Sequence, residues 1–334
     1  MRLDVAIERL RLAVPVRISN RLFEEQDVIV VTLSDGGHIG RGEASGVYYF
    51  GDTAQSLRAA IEAVRPVIER GIDRPALQKL LPPGGARNAV DCALWDLEAH
   101  RTSTPVWKVA GLGPPRALST TFTLGADGPA VMAARARRFV QARALKLKLT
   151  GDLAQDAARV RAVREARPEV WIGVDANQGY RIEDLVSLVA SLLDAGVSLL
   201  EQPLQRGREA ELDGFDSPIP IAADESVQRL ADLSSLVGRF QVANIKLDKC
   251  GGLTEALAMV GQARALGLKT MVGCMACSSL AVAPAFVLGQ LCDVVDLDAP
   301  LFLTNDREGG VSYPDGQVWS DGSIWGNPQG PVVS

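Results

Sequence analysis

The sequence predicts an α/β protein: a (β/α)8 barrel, a modified TIM barrel, preceded by an α+β capping domain. Three observations carry that prediction. From Leu118 onward short apolar strands alternate with amphipathic helices at roughly 25-residue spacing, the rhythm of a barrel rather than of an open doubly wound sheet. The segment before it is ordered differently, with strands first and helices after them. Between the two, Gly111-Leu112-Gly113-Pro114-Pro115 cannot continue a helix, because proline lacks an amide hydrogen and glycine costs backbone entropy. The 334-residue chain therefore divides into a capping domain at 1–114, a barrel at 115–310 and a tail at 311–334 that returns to the cap.

Taken in order, Val28–Leu33 is a β-branched run, Ser34-Asp35-Gly36-Gly37 has hairpin-turn chemistry, and His38–Glu43 is the returning strand. Leu57, Ile61, Val64 and Ile68 then recur at spacings of three and four, and Ala86–Leu97 has the same helical period. Strands are expected at 118–124, 144–149, 170–175, 197–201, 219–223, 242–247, 269–274 and 294–298. Helices such as Ala154–Val163 and Glu183–Leu193 lie between them. The final stretch, with Trp319, Trp325 and Pro331, is irregular.

Composition narrows the function. Apolar residues at 47% and charged ones at 22% describe a globular chain with a large core. A net charge of −5 without a Lys/Arg block argues against a nucleic-acid groove or a polybasic membrane contact, so a small-molecule partner is expected. Charges scattered through the first residues exclude a signal segment or membrane span, which points to the cytoplasm; assembly into a homo-oligomer stays open. Five cysteines, an odd number, suggest reduced thiols, with Cys274 and Cys277 expected in core packing rather than redox work. His38 and His100 lie far apart, so carboxylates must carry any metal.

The chemistry centres on Ala144-Leu145-Lys146-Leu147-Lys148-Leu149. The strand period of two sends Lys146 and Lys148 to one face and the leucines to the other. A buried ammonium needs a carboxylate or a metal-rich site beside it. Strand after strand ends in charge: Asp175, Glu201, Asp224, Lys246, and Asp296 with Asp298. Active sites of barrels sit at these carboxyl ends. Asp175, Glu201 and Asp224 on neighbouring strands can converge on one hard cation, with Mg²⁺ the natural occupant of an all-oxygen set. Lys148 and Lys246 then flank the metal from opposite sides, their pKa values lowered by the cation, as bases on the two faces of a carbon α to a carboxylate. Asp296 and Asp298 form an anionic wall that suits a free α-ammonium better than an acyl group.

These motifs, Lys-x-Lys, Asp175-Ala176-Asn177, Glu201-Gln202-Pro203, Ala223-Asp224-Glu225-Ser226 and the run Ile245–Gly252, resemble the enolase superfamily, specifically its muconate-lactonizing-enzyme subgroup, over nearly the whole chain. The resemblance implies Asp175, Glu201 and Asp224 as Mg²⁺ ligands and Lys148 and Lys246 as the acid/base pair. It also implies Lys146 as a contact to the substrate carboxylate, and Asn177, Gln202 and Glu225 as groups that orient the ligands. The subgroup hosts cycloisomerases, o-succinylbenzoate synthases, N-acylamino acid racemases and dipeptide epimerases. Asp296-x-Asp298 resembles the motif that holds a dipeptide's amino terminus, so the expected activity is epimerisation at the C-terminal residue of an L,L-dipeptide. The alternatives are an o-succinylbenzoate synthase, an N-acylamino acid racemase, or a catalytically silent barrel kept as a binding protein.

Specificity is expected in cap loops at Arg17–Leu22 and Gly46–Gly51. The second departs from the pattern associated with Ala-Glu epimerases, since Tyr48-Tyr49-Phe50 lacks a basic residue after its tyrosine. Its aromatics favour an apolar or cationic side chain, while Arg17 or Arg21 would bind an acidic one.

Overall fold

The structure, a computed structural model, describes residues 1–18 and 21–329, with the side chains of residues 14–23 outside that description. β1 (Arg2–Ile18), β2 (Arg21–Asp35) and β3 (His38–Ala44) form an antiparallel sheet in that order. Gly36 and Gly37 turn β2 into β3 at φ of 58° and 85°, the two positive values a tight hairpin of this twist requires. In the stretch expected as a loop at Arg17–Leu22, Arg17 pairs with Leu22 and Ile18 with Arg21, while Ser19 and Asn20 lie outside the described residues. The side chains of Arg17 and Arg21 fall outside the described ones.

Three helices follow: α1 (Ala54–Glu69), α2 (Arg74–Leu80) and α3 (Gly85–Thr102). Thr53 caps α1 by accepting the Ser56 amide at 3.0 Å. α3 lies directly on β3, and the approach requires glycine: a Cβ at Gly40 would come within 2.2 Å of the Ala93 carbonyl oxygen, and one at Gly42 within 2.2 Å of that of Ala89.

The short α4 (Val106–Val109) and β4 (Leu118–Ser119) lead into the barrel. Its elements are β5 (Thr121–Leu124), α5 (Pro129–Arg138), β6 (Ala144–Lys148), α6 (Leu153–Ala166), β7 (Trp171–Asp175), α7 (Ile182–Asp194), β8 (Leu199–Glu201), β9 (Ile221–Ala223) and β10 (Val242–Lys246). They continue as α8 (Leu247–Cys250), α9 (Leu253–Ala265), β11 (Lys269–Gly273), α10 (Ser279–Gly289) and β12 (Val294–Asp296). β5 to β12 are all parallel, in sequence order. The β8–β9 and β9–β10 connections depart from the expected alternation, carrying 3₁₀ turns at Glu209–Leu212 and Leu230–Leu236. Gly207 and Gly214, both at positive φ, bracket the first turn too closely for an α-helix to propagate.

The strand expected at 118–124 divides at Thr120, which serves the seam of the barrel. Its hydroxyl donates to the Val295 carbonyl at 3.3 Å and accepts from the Leu297 amide at 2.9 Å. β5 and β12 are joined there by side chains, with Thr121 donating to Asp296 and the Thr123 amide to Asp298. β4 instead pairs antiparallel with β13 (Gln317–Val318).

Inward side chains stack in rungs. The lowest is apolar: Trp171, Leu199, Ala222, Val242, Met271 and Val294 form one cluster that closes the barrel. Outward residues such as Leu145, Leu147, Ile172, Leu200 and Ile245 join the main core under the helices. The cap is tied on by buried polar contacts. Asp248 on α8 accepts the Ser45 amide at 3.0 Å, and Glu43 accepts the Ser278 amide at 2.7 Å and pairs with Arg307 at 2.7 Å. Trp325 donates to the Arg41 and Cys92 carbonyls, and Asp96 accepts the Gly326 amide. Among the described residues no helix is long and apolar enough to cross a membrane.

Candidate active site

All five residues of β6 are buried, and the strand period places Lys146 and Lys148 inside the barrel with Leu145 and Leu147 outside. Each ammonium finds the carboxylates its burial requires. Lys148 Nζ lies 2.6 Å from Asp175 Oδ2. Lys146 Nζ reaches Glu201 Oε2 at 2.7 Å, Asp296 Oδ2 at 2.8 Å and Asp175 Oδ2 at 3.3 Å. Across the barrel, Lys246 Nζ lies 2.8 Å from Asp224 Oδ2.

Asp175 and Glu201 end β7 and β8, and Asp224 follows β9; all three are buried, each with an oxygen within 4.8 Å of the others. Their two oxygens do different work. One is tethered: Asp175 Oδ1 accepts the Asn177 amide at 2.9 Å, Glu201 Oε1 accepts Asn244 Nδ2 at 2.8 Å, and Asp224 Oδ1 accepts Lys249 Nζ at 2.6 Å. The other faces the inward lysines. Three converging carboxylate oxygens, with neither sulfur nor imidazole among them, fit a hard cation such as Mg²⁺. Burial pushes the Asp224 carboxyl up, but Lys246 and Lys249 outweigh it and hold it well below the usual range. Glu201 moves the other way, raised by burial and by Asp175.

The carboxylates act on two of the lysines in the direction opposite to a cation. Burial opposes the charge on Lys146, yet Asp296, Glu201 and Asp175 together hold its ammonium well above the ordinary lysine range. Asp224 and Glu201 likewise hold Lys246 up against burial. The expected lowering counted a divalent charge on the triad, and the carboxylates acting alone have the opposite sign.

Gln202 accepts the Asp224 and Ser226 amides at 3.0 and 3.1 Å, so it shapes the exit of β9 on which Asp224 sits. Asn177 acts through its backbone amide, at φ 44°. Glu225 differs from the expected orienting role. Its side chain lines the cavity, makes no hydrogen bond to a triad carboxylate, and has Oε2 buried without a partner among the described residues; burial and then Asp224 push it up to about 8.

Three contributors escaped the sequence analysis. Asn244 lies two residues before Lys246 on the same face, a parity signal that was available. Lys249 is one helical turn past β10, and only the packing of α8 brings it to Asp224. Gly273 is a third: a Cβ there would come 2.9 Å from Asn244 Oδ1 and 3.0 Å from Lys246 Cε, so its bareness makes room for the lysine stem.

Strand order sets the layout. In a ring of eight, β6 faces β10 and β8 faces β12. The Lys148–Lys246 axis therefore crosses the axis from Glu201 to Asp296 and Asp298, with the triad on the strands between the lysines. Asp296 is bound to Lys146 and Thr121, so it is not a free carboxylate. Asp298 lies beyond it on the cavity wall, accepts the Thr123 amide at 2.6 Å, and is pushed up to about 7 by burial and by Asp296. Above this layer the cavity is walled by Leu12, Tyr48, Tyr49, Met275 and Phe302. Tyr48–Phe50 forms a 3₁₀ turn whose Tyr49 hydroxyl accepts Gln228 Nε2 at 3.1 Å. Cys277 is buried in the main core, and Cys274 packs against that core while also lining the cavity.

Residues 2–111 match the N-terminal domain of mandelate racemase/muconate lactonizing enzyme, and residues 131–319 the enolase C-terminal domain-like model. The chain is 40% identical to an L-Ala-D/L-Glu epimerase of Escherichia coli (strain K12), covering 91% of this chain and 95% of that one. It is 37% identical to an N-acetyl-D-glutamate racemase of a Pseudoalteromonas species, covering 90% and 95%. Among solved structures, an Agrobacterium tumefaciens enolase family member with homology to dipeptide epimerases, holding sodium and L-Ala-L-Glu, aligns with TM-score 0.94 at 39% identity over 97% and 99% of the two chains. A dipeptide epimerase from Methylococcus capsulatus, complexed with Mg and L-Arg-D-Lys, aligns with TM-score 0.88 at 32% identity over 96% of each.

Proposed function

This chain belongs to the mandelate racemase/muconate lactonizing enzyme branch of the enolase superfamily, and from that premise we propose that it is a Mg²⁺-dependent dipeptide epimerase. The observation that carries the proposal is the pair of amines, Lys148 on β6 and Lys246 on β10, facing each other with Asp175, Glu201 and Asp224 between them. Asp175, Glu201 and Asp224 would hold the Mg²⁺. It would supply positive charge against the triad and against the carboxylate end of the substrate as negative charge develops there. Lys148 and Lys246 do the proton work. One takes the α-proton of the C-terminal residue from its own face, and the other returns a proton to the opposite face, inverting the centre. Lys146, at the foot of the site, contacts the substrate carboxylate. Asp298, with Asp296 behind it, receives the free α-ammonium of the N-terminal residue.

Incubation with L,L-dipeptides in D₂O tests this. One deuteron enters at the terminal Cα of a turned-over dipeptide, and N-acylamino acids gain none. Lys148→Met and Lys246→Met each cut exchange by about 10²–10⁴-fold, and on opposite stereochemical faces. Exchange confined to N-acyl substrates would favour the second reading, an N-acylamino acid racemase, which the Pseudoalteromonas relative supports and a carboxylate pair at the amino-end position opposes. We also place the enzyme in the cytoplasm, without nucleic-acid or membrane partners, on the net charge of −5 and the free cysteines. Cell fractionation checks the location, and light scattering decides whether it is a homo-oligomer.

A further inference from the structure

We infer that Asp248 and Gln228 are positioning residues, which seat the cap turn Tyr48–Phe50 against the half of the site that holds Lys246. The inference rests on the proposed epimerase reaction, in which Lys246 serves one stereochemical face and Lys148 the other.

The turn is held at its base and at its middle. At the base, Asp248 Oδ1 accepts the Ser45 amide at 3.0 Å and the Gly46 amide at 3.4 Å, with the Asn88 side chain of α3 as a further hydrogen-bond partner. Asp248 is buried and lies on α8, the helical turn that starts directly after Lys246. In the middle, the Tyr49 hydroxyl accepts Gln228 Nε2 at 3.1 Å, and the same nitrogen donates to the Glu225 and Asp224 carbonyls at 2.9 and 3.4 Å. One anchor is therefore built on the element that follows the base, and the other on the segment that carries a metal ligand. A buried amide that loses its acceptor costs free energy, so the turn stays where these two side chains hold it.

The neighbours of the turn say what it does there. Tyr48 and Tyr49 line the cavity together with Lys246. Burial pushes both hydroxyls up, Tyr48 to about 12, and the charge of Lys246 works against that rise on each. Lys148 stands on β6, across the ring from β10. Releasing the turn would therefore admit water and free rotamers on the Lys246 side, and a displacement of an ångström costs a reacting group about 10²-fold in rate. Lys249, on α8 with Asp248, is bound to Asp224 Oδ1 at 2.6 Å, so loss of Asp248 frees the turn without releasing the triad. Loss of Gln228 instead disturbs the exit of β9 at Asp224, on which proton transfer at both faces depends.

The test measures solvent-deuterium uptake by the whole chain with Mg²⁺, separately from an L,L-dipeptide and from its L,D epimer, using whichever of L-Ala-L-Glu, L-Ala-L-Leu and L-Ala-L-Lys turns over fastest. The isomer whose exchange Lys246→Met cuts marks the Lys246 face. Asp248→Ala is expected to slow exchange from that isomer by about ten-fold or more and from the other by less than about three-fold, a ratio that does not depend on the fraction of chain folded. Asp248→Asn, which keeps an acceptor oxygen, should restore the wild-type ratio to within about two-fold. Gln228→Ala should slow both isomers equally. Equal losses from both isomers with Asp248→Ala, or an Asn variant no better than the Ala one, reduce Asp248 to a structural tie and overturn the inference; so does a Gln228→Ala chain with wild-type rates. Exchange with N-acylamino acids and with none of the dipeptides overturns the epimerase reading instead, and the same ratio taken on the two enantiomers of the N-acyl substrate then decides the anchors.

Discussion

Two layers of the same barrel, two to four residues apart along the strands, are built on opposite principles. Trp171, Leu199, Val242 and Met271 at the floor stabilise the chain by leaving water, roughly 1.5–3 kcal/mol for a large side chain. Lys146, Lys148, Asp175, Glu201, Asp224 and Lys246 are as deeply buried, yet each costs free energy unless its partner is present. The strands use the same inward parity for both. The floor closes the barrel and holds the strands at a fixed spacing, and the mouth spends that rigidity on charges that would not stay together by themselves.

The comparison breaks most sharply at Asp224, which serves Lys246 and Lys249 at once. Asp224→Asn should reduce deuterium exchange by about 10³-fold or more. It should also cost about 3–5 kcal/mol in urea unfolding, because two buried ammoniums lose a counter-charge. Leu199→Ala, one rung lower on β8, should cost a similar 2–5 kcal/mol by leaving a cavity, with kcat of the folded enzyme unchanged. A parallel loss of kcat would show that floor and mouth are not separable. Chelation should abolish activity and lower Tm, and Mg²⁺ at a hundred times its Kd should restore about 2.7 kcal/mol.

A finer test lies at Gly273. Adding a methyl there crowds the Lys246 stem by a few tenths of an ångström, and kcat should fall about ten-fold, short of the 10²-fold that a full ångström costs. The smallest effect is at Asp298, raised to about 7 in the folded chain. An acid so raised keeps its proton on folding, so its contribution to stability is present at low pH and lost as pH rises through about 7. Asp298→Asn should therefore raise Tm more at pH 8 than at pH 5. The wild-type KM for dipeptides should change in the other sense, rising below about pH 7 as the carboxylate that receives the ammonium becomes neutral.

Much of the site was legible in the sequence because it is written in parity. Lys146 and Lys148 two apart, or Asp175 and Glu201 as the last inward residues of apolar strands, show their direction without any knowledge of the fold. The long strands were equally plain, while the 3₁₀ connections after β8 and β9 and the break at Thr120 were not, since each answers to a neighbour rather than to its own residues. Glu225 is the instructive case: adjacent to Asp224 in sequence and of the opposite parity, it still lines the same cavity, because it lies past the end of β9, where strand parity no longer holds.

The sequence by itself determined which side chains enter the barrel and at which end, because a strand's period of two is a local property of the backbone. Tertiary structure alone decided that Lys148 and Lys246 oppose each other, that Lys249 and Asn244 hold the triad, and that Leu12 shares a wall with Phe302. Those relations depend on how many strands close the ring and where the cap folds back over it, and no short stretch of chain contains that information.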